Sequence, residues 1–298
     1  MKSASAEEAG DRWFDDEKLA PRDPGPEDLS RLIRRAFGMR RYRPEPLPAV
    51  VHQLLSMTSS DDADFGAVAK VVAQDASLVA EILRIVNTAG YARGAPVESI
   101  EQAVNRLGFV ALREVVAQAA LVVALPRNPE YAAAIRTLNA HNVAVARLTR
   151  LVQVSSGVHQ EHAFLAGFFH DLGFLASLML IADVYGDEPP AIEAVWPELD
   201  RIHGQVGWIM AQLWRLPAPI PAIARTHHWG QMTQLMAVVH VADVLATESG
   251  VPAILNADRV AVDVFDAPRL QAAANELELT DEDLDELFAT APDVIRDG

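Results

Sequence analysis

Residues 164–178 read FLAGFFHDLGFLASL, an apolar run interrupted only by the adjacent pair His170-Asp171. A run apolar on nearly every side predicts a buried helix, because a surface helix keeps its apolar residues to one stripe. An ionised carboxylate left unpaired in such a place costs several kcal/mol. Asp171 therefore has to be paired, hydrogen-bonded or bound to a metal, and the rest of the chain has to fold so as to bring it partners. The same charged pair argues against this run crossing a bilayer.

Candidate partners recur downstream and upstream of the pair. His141 falls on the preceding predicted helix and His203 lies in the segment Arg201-Ile-His-Gly-Gln-Val-Gly207. His227-His228 are adjacent, and Asp243 sits in the apolar run VHVADVLA. Imidazole and carboxylate together suit Fe, Mn or Zn. The alternative is a buried hydrogen-bond network in which each histidine is satisfied by its neighbours. With no cysteine in the chain, disulfide frameworks, thiolate metal sites and cysteine nucleophiles are excluded. No phosphate-cradling glycine loop, nucleophile elbow or dinucleotide fingerprint is found.

The net charge of −16 is concentrated at the ends. Residues 1–29 hold nine acids and four bases, and residues 256–298 hold twelve acids and three bases. An acidic surface disfavours DNA, whose binding rests on neutralising phosphates with Lys and Arg. The one basic cluster, Arg31, Arg34, Arg35, Arg40, Arg41 and Arg43, reads as a solvated helix face outside the folded lobes. The first residues lack the apolar core of a secretory signal, so a cytoplasmic location is expected.

The organisation predicted along the chain is all-α. Residues 1–29 form an acidic mobile arm, and 30–46 a basic helix (Asp28 to Phe37) with a Pro-rich approach. Residues 47–126 and 127–255 are two helical lobes, each with a core, divided at Pro126-Arg-Asn-Pro129. Residues 256–298 form an acidic helical tail whose Val262, Phe265, Leu270, Leu277, Leu284 and Leu287 require a surface to cover. Ser99-Ile-Glu-Gln102 reads as a capping box opening a helix that Gly108 closes, with a second helix from Val110 to Leu125. Asp75 reads as the N-cap of the next helix, and Asn87 as a cap or bridge between helices. In the second lobe, helices are expected over 131–154, 159–184, 191–214, 220–229 and 231–248, with Pro197 breaking or kinking the third. Trp208, Trp214 and Trp229 are expected to pack in the core.

The order of the second-lobe residues resembles the HD-domain superfamily: a histidine on a first helix, an adjacent His-Asp on a second, and a lone Asp on a distal one. His141, His170/Asp171 and Asp243 match in that order. The first lobe is similar to the HDOD family, on Leu47-Pro48-Ala49-Val50, Gln74-Asp75-Ala76-Ser77-Leu78, Val86-Asn87-Thr88-Ala89-Gly90-Tyr91 and Ser99-Ile to Leu107-Gly108. Two positions depart from that pattern, Ala76 where a Pro is usual and Thr88 where a Ser is usual. The resemblance runs from about Leu47 to Glu248.

This resemblance implies a two-lobed helical fold and a bacterial signal-transduction module that acts through regulatory protein partners without turnover. It also implies a possible divalent-metal site (Fe, Mn or Zn) on His141, His170, Asp171, His203, His227, His228 and Asp243. In that ligand set Asp171 bridges one ion held by His141, His170 and Asp243 to a second held by His203, His227 and His228. The alternative is a metal-dependent phosphodiesterase similar to the HD-GYP group, with a cyclic dinucleotide or nucleotide substrate. Two departures count against it. Phe174 stands where that group has a lysine near the His-Asp pair, and His228-Trp229-Gly230-Gln231 has no Gly-Tyr-Pro loop. Arg201 and Arg225 are the candidate phosphate contacts.

Overall fold

The computed structural model describes residues 25–38, 69–70, 72–73, 75–88, 94–124, 129–253 and 267–297. Among these residues the regular elements are helices and there is no strand. The expected segments around Leu47–Val50, Gln74, Ala89–Tyr91, Val262 and Phe265 lie outside the described residues.

Helix α1, Pro26–Gly38, starts with proline, whose fixed φ suits the first turn. The Asp28 carboxylate accepts the Gly25 N–H at 3.3 Å. Leu29, Leu32, Ile33, Ala36 and Phe37 are buried, and α1 packs on helix α7 (Ile192–Leu213). The segment expected to lie outside the folded lobes is thus part of the core. Its spacing at i, i+3, i+4, i+7 and i+8 places those residues on one face, while Arg31 and Arg34 face solvent.

Helix α2, Ala76–Val86, is capped by Asp75, whose carboxylate accepts the N–H groups of Ser77 and Leu78, both at 3.0 Å. Asn87 closes it and bridges onward. Its amide donates to the carbonyls of Leu83 and Val97, both at 2.9 Å, and accepts the Val97 N–H at 2.8 Å. Helix α3, Ile100–Ala124, opens at the Ser99 capping box, where the Gln102 N–H donates to the Ser99 hydroxyl at 3.2 Å. It is interrupted at Gly108, whose φ of 70° and ψ of 176° leave the helical region and favour glycine.

The remaining helices build the site. They are α4 (Ala132–Ser156), α5 (Ala163–Phe169), α6 (Leu172–Tyr185), α7, α8 (Pro219–Thr226) and α9 (Gln234–Glu248). The single helix expected over 159–184 is two helices meeting at His170-Asp171. Apolar periodicity cannot reveal that break, because both flanks are buried on all sides. Helix α7 runs unbroken past Pro197, which lies in its second turn. The stretch Ala163–Tyr185 is long and apolar enough to cross a membrane, but its most apolar part is buried in the fold.

Helix α5 is the hub, packed against α3, α4, α8 and α9, while α6 lies on α7 and α4. One apolar cluster runs continuously from Leu29 and Ile82 through Val116 and Phe168 to Trp214 and Ile220. The two halves therefore share a core across the boundary expected at 126–129. A second cluster joins α4 and α9 to the tail helices α10 (Ala267–Glu276) and α11 (Asp281–Asp297), where Leu270, Leu277 and Leu287 are buried. Thr280 and Asp283 cap α11 reciprocally, with N–H donations at 2.8 Å and 3.2 Å.

Candidate metal centre

All seven His/Asp residues singled out in the sequence converge on one interior point. His141 comes from the middle of α4, His170 and Asp171 from the α5–α6 junction, and His203 from α7. His227 and His228 come from the end of α8, and Asp243 from α9. His228 is half-buried and the other six are buried. Two groups form, each with ligand atoms within 4.8 Å of one another: His141, His170 and Asp243, and then Asp171, His203, His227 and His228.

Close helix contact makes this convergence possible. A Cβ on Gly173 of α6 would meet the His203 carbonyl oxygen at 1.8 Å, so α6 and α7 touch backbone to backbone at that point. Gly204 likewise brings α7 close to the Arg225 carbonyl at the end of α8, 2.8 Å from the position of its absent Cβ. Nothing in the composition signals these contacts, but a glycine inside an apolar helical pattern often has a packing reason.

The helix break frees Asp171 for the cluster. Asp171 begins α6 without any side-chain capping bond. Its Oδ2 lies 3.4 Å from His170 Nε2 and 3.8 Å from His141 Nε2. Its Oδ1 lies 3.1 Å from His227 Nε2 and 3.8 Å from His203 Nε2. One carboxylate therefore faces both groups with one oxygen each. Asp243 Oδ1 is 3.2 Å from His141 Nε2.

The outward nitrogens fix the tautomers. Nδ1 of His141, His170, His203 and His227 reaches the carbonyls of Val251, Gly167, Asp200 and Ile223 at 2.8, 2.7, 2.6 and 3.2 Å. A carbonyl can only accept, so each Nδ1 carries the proton and donates it, which leaves a bare lone pair on Nε2 of each neutral ring. The Nε2 atoms face one another, with those of His141 and His170 3.4 Å apart and those of His203 and His227 3.3 Å apart. The buried Asp171 Oδ1 likewise has no hydrogen-bond partner.

Titration preferences agree with this picture. Burial pushes His203 down to about 4, and it also lowers His170 and His228. Burial would depress His141 as well, but the hydrogen bond and charge of Asp243 raise it. Burial works against both carboxylates, yet the facing imidazoles hold Asp171 and Asp243 well below the usual carboxylate range. Burial thus keeps His170, His203 and His228 from taking up a proton, and a cation bound among them would partner the two buried carboxylates. Donors held roughly 2.0–2.2 Å from a common ion lie about 3–3.5 Å from one another, close to the spacings here. The Nδ1–carbonyl bonds supply the outer shell that orients metal-bound histidines. The residues present fit a pair of divalent ions.

A cleft of about 530 Å³ opens on the second group, lined by Arg201, His203, Arg225, His228 and Trp229 among others. Both arginines suggested for phosphate contact are therefore at the site, but each is engaged. Arg201 forks onto Glu198 at 2.5 and 3.0 Å and reaches the Ser30 hydroxyl at 2.8 Å. The Arg225 guanidinium lies 4.9 Å from the Trp208 ring centroid. Trp214 is in the core as expected, whereas Trp229 is 68% exposed at the cleft. The turn after His227 ends α8 and leaves the indole on its outer side, which helical periodicity could not foresee. Sequence reasoning also missed Arg269, which donates from α10 to the His227 and Gly230 carbonyls; no local signal marks a residue that acts 42 positions away.

Comparison with known proteins gives the same architecture. The chain is 22% identical to an HDOD domain protein of unknown function from Geobacter sulfurreducens, with a TM-score of 0.62 over 91% of this chain and 97% of that one. It is 19% identical to a candidate metal-dependent phosphohydrolase from Shewanella amazonensis, with a TM-score of 0.64 over 91% and 98%. A candidate signal transduction protein from Marinobacter aquaeolei is 20% identical, with a TM-score of 0.58 over 97% of this chain and 63% of its own. Among curated sequences, an uncharacterised protein of Treponema pallidum is 19% identical over 192 residues, and the chain matches 37% of its length. The profile of the HDOD domain covers residues 45–229, well over half the chain, ending before α9 supplies Asp243. On that match and on the fold that carries it, the chain belongs to the HDOD family.

Proposed function

We propose that this protein is a signalling module whose C-terminal half holds two divalent cations on His141, His170, Asp171, His203, His227, His228 and Asp243, and which acts through a regulatory protein partner. The observation that carries the metal reading is the convergence of four imidazole Nε2 atoms on the two oxygens of one buried carboxylate, Asp171. Fe, Mn and Zn suit such a nitrogen–oxygen donor set. The proteins of similar fold include candidate signalling and phosphohydrolase proteins, which is consistent with either use of a metal pair.

A second reading, hydrolysis of a phosphoester, draws on the cleft that reaches His203 and His228. Metals there would polarise a phosphate and activate water. The cations that would steady the transferring group are already held by Glu198 and stacked on Trp208, which favours the non-catalytic reading.

The test is metal analysis of protein purified without a histidine tag. Close to two equivalents of Fe, Mn or Zn, lost in the folded double variant His170→Ala/Asp171→Ala, is the expected result. Metal-free folded protein after loading would overturn the metal reading. Turnover of bis-p-nitrophenyl phosphate or cyclic di-GMP by the loaded form would replace the module reading with the enzyme one.

A further inference from the structure

We infer that Arg269, on the tail helix α10, is a positioning residue for the paired histidines, which makes the tail a working part of the metal centre. Helix α8 is short and ends at His227, where unpaired carbonyls and the negative end of the helix dipole attract a cation. Arg269 supplies it. Its Nε–H and Nη2–H donate to the His227 carbonyl at 3.2 and 2.9 Å, and its Nη1–H donates to the Gly230 carbonyl at 3.3 Å. One guanidinium therefore spans both ends of the turn that carries His227, His228 and Trp229. Within the turn, the N–H groups of Trp229 and Gly230 donate to the Thr226 carbonyl at 3.0 and 2.6 Å. Those bonds curl the turn without tying it to the rest of the fold.

The clamp is anchored independently of the site it holds. Leu270, next to Arg269, is buried with Ala273, Ala274 and Leu277 in the cluster formed with α4 and α9. Arg269 thus transmits the position of that cluster to the His227-His228 turn, and so fixes where His227 Nε2 sits against Asp171 Oδ1. The bonds of Arg269 go to the turn of the second group, whereas His141, His170 and Asp243 are set by α4, α9 and the α5–α6 junction. Arg269 also lies beyond the residues that define the family match, which end at 229. The tail therefore packs on the helices that carry His141 and Asp243, and reaches the turn of the second group through Arg269.

The test compares Arg269→Ala and Arg269→Lys in the full chain by amide hydrogen exchange, with α9 amides as an internal control, and by metal content after loading with Zn or Mn. Arg269→Ala is expected to exchange about tenfold faster at Trp229 and Gly230, the factor for losing a charge-assisted bond, with α9 unchanged. Its metal content should fall by one ion per chain, and Arg269→Lys should lie between the two. Unchanged exchange in the turn, or an equal rise throughout the chain, would overturn the clamp. If Arg269→Ala does not fold, the lysine variant decides by the same ratio of turn to α9. The metal arm rests on the reading of the cluster given above. A wild type that takes up no ion would sink that reading, while the exchange result still decides the clamp.

Discussion

Replacing Gly173 with alanine tests whether helix contact assembles the cluster. The added Cβ would sit 1.8 Å from the His203 carbonyl oxygen, 2.5 Å from its carbonyl carbon and 2.8 Å from the Gly207 nitrogen. All three obstacles are backbone, so no rotamer change relieves them. Restoring ordinary contact requires α7 to retreat by about 1.5 Å, against a metal-site tolerance of about 0.2 Å. His203 would then draw back from Asp171 and His227, now 3.8 and 3.3 Å away, while the first group keeps its ligands. Overpacking of a well-packed interior costs about 1–3 kcal/mol, and backbone obstacles place this change at the upper end. Urea denaturation of the metal-free protein reads the packing cost, and metal content after loading reads the ligand loss. A fall from two ions to one with a destabilisation near 3 kcal/mol is expected. Wild-type metal content together with a stability change under about 0.5 kcal/mol would refute the close contact and its role in placing His203.

Asp171→Asn removes the charge that faces both groups, so in chelator the variant should equal or exceed wild-type stability, by up to about 2 kcal/mol. With metal present the order should reverse, and thermal melts in both buffers would show it. Stripping metal from the wild type should lower the melting temperature by several degrees, since an ion at a hundred times its dissociation constant stabilises by about 2.7 kcal/mol; a melt unmoved by chelator would count against bound metal. Asn87→Ala deletes one hydrogen bond to Leu83 within α2 and two to Val97 in the segment before α3, and should cost about 2 kcal/mol in urea unfolding, with metal content unchanged.

Much of the candidate site was legible because burying a charge is costly. An Asp inside FLAGFFHDLGFLASL had to have partners, and the histidines and aspartate on other apolar helices were the groups able to supply them. Helix ends with local chemistry were legible too. Asp75, Asn87, the Ser99 capping box and the Thr280–Asp283 cap each act within about ten residues, and side-chain identity at those positions specifies the bond.

What tertiary structure alone decided is where separate helices touch. The break at His170-Asp171 left no trace in a pattern that is apolar on every side, yet it turns the carboxylate into the cluster. The backbone contact at Gly173, the burial of α1 in the main core and the reach of Arg269 to the His227 carbonyl all join residues distant in the chain. Hydrophobic periodicity records which face of a helix is buried, but not what buries it. The choice of neighbour depends on shape and packing summed over the whole interior, and so only the assembled fold determines it.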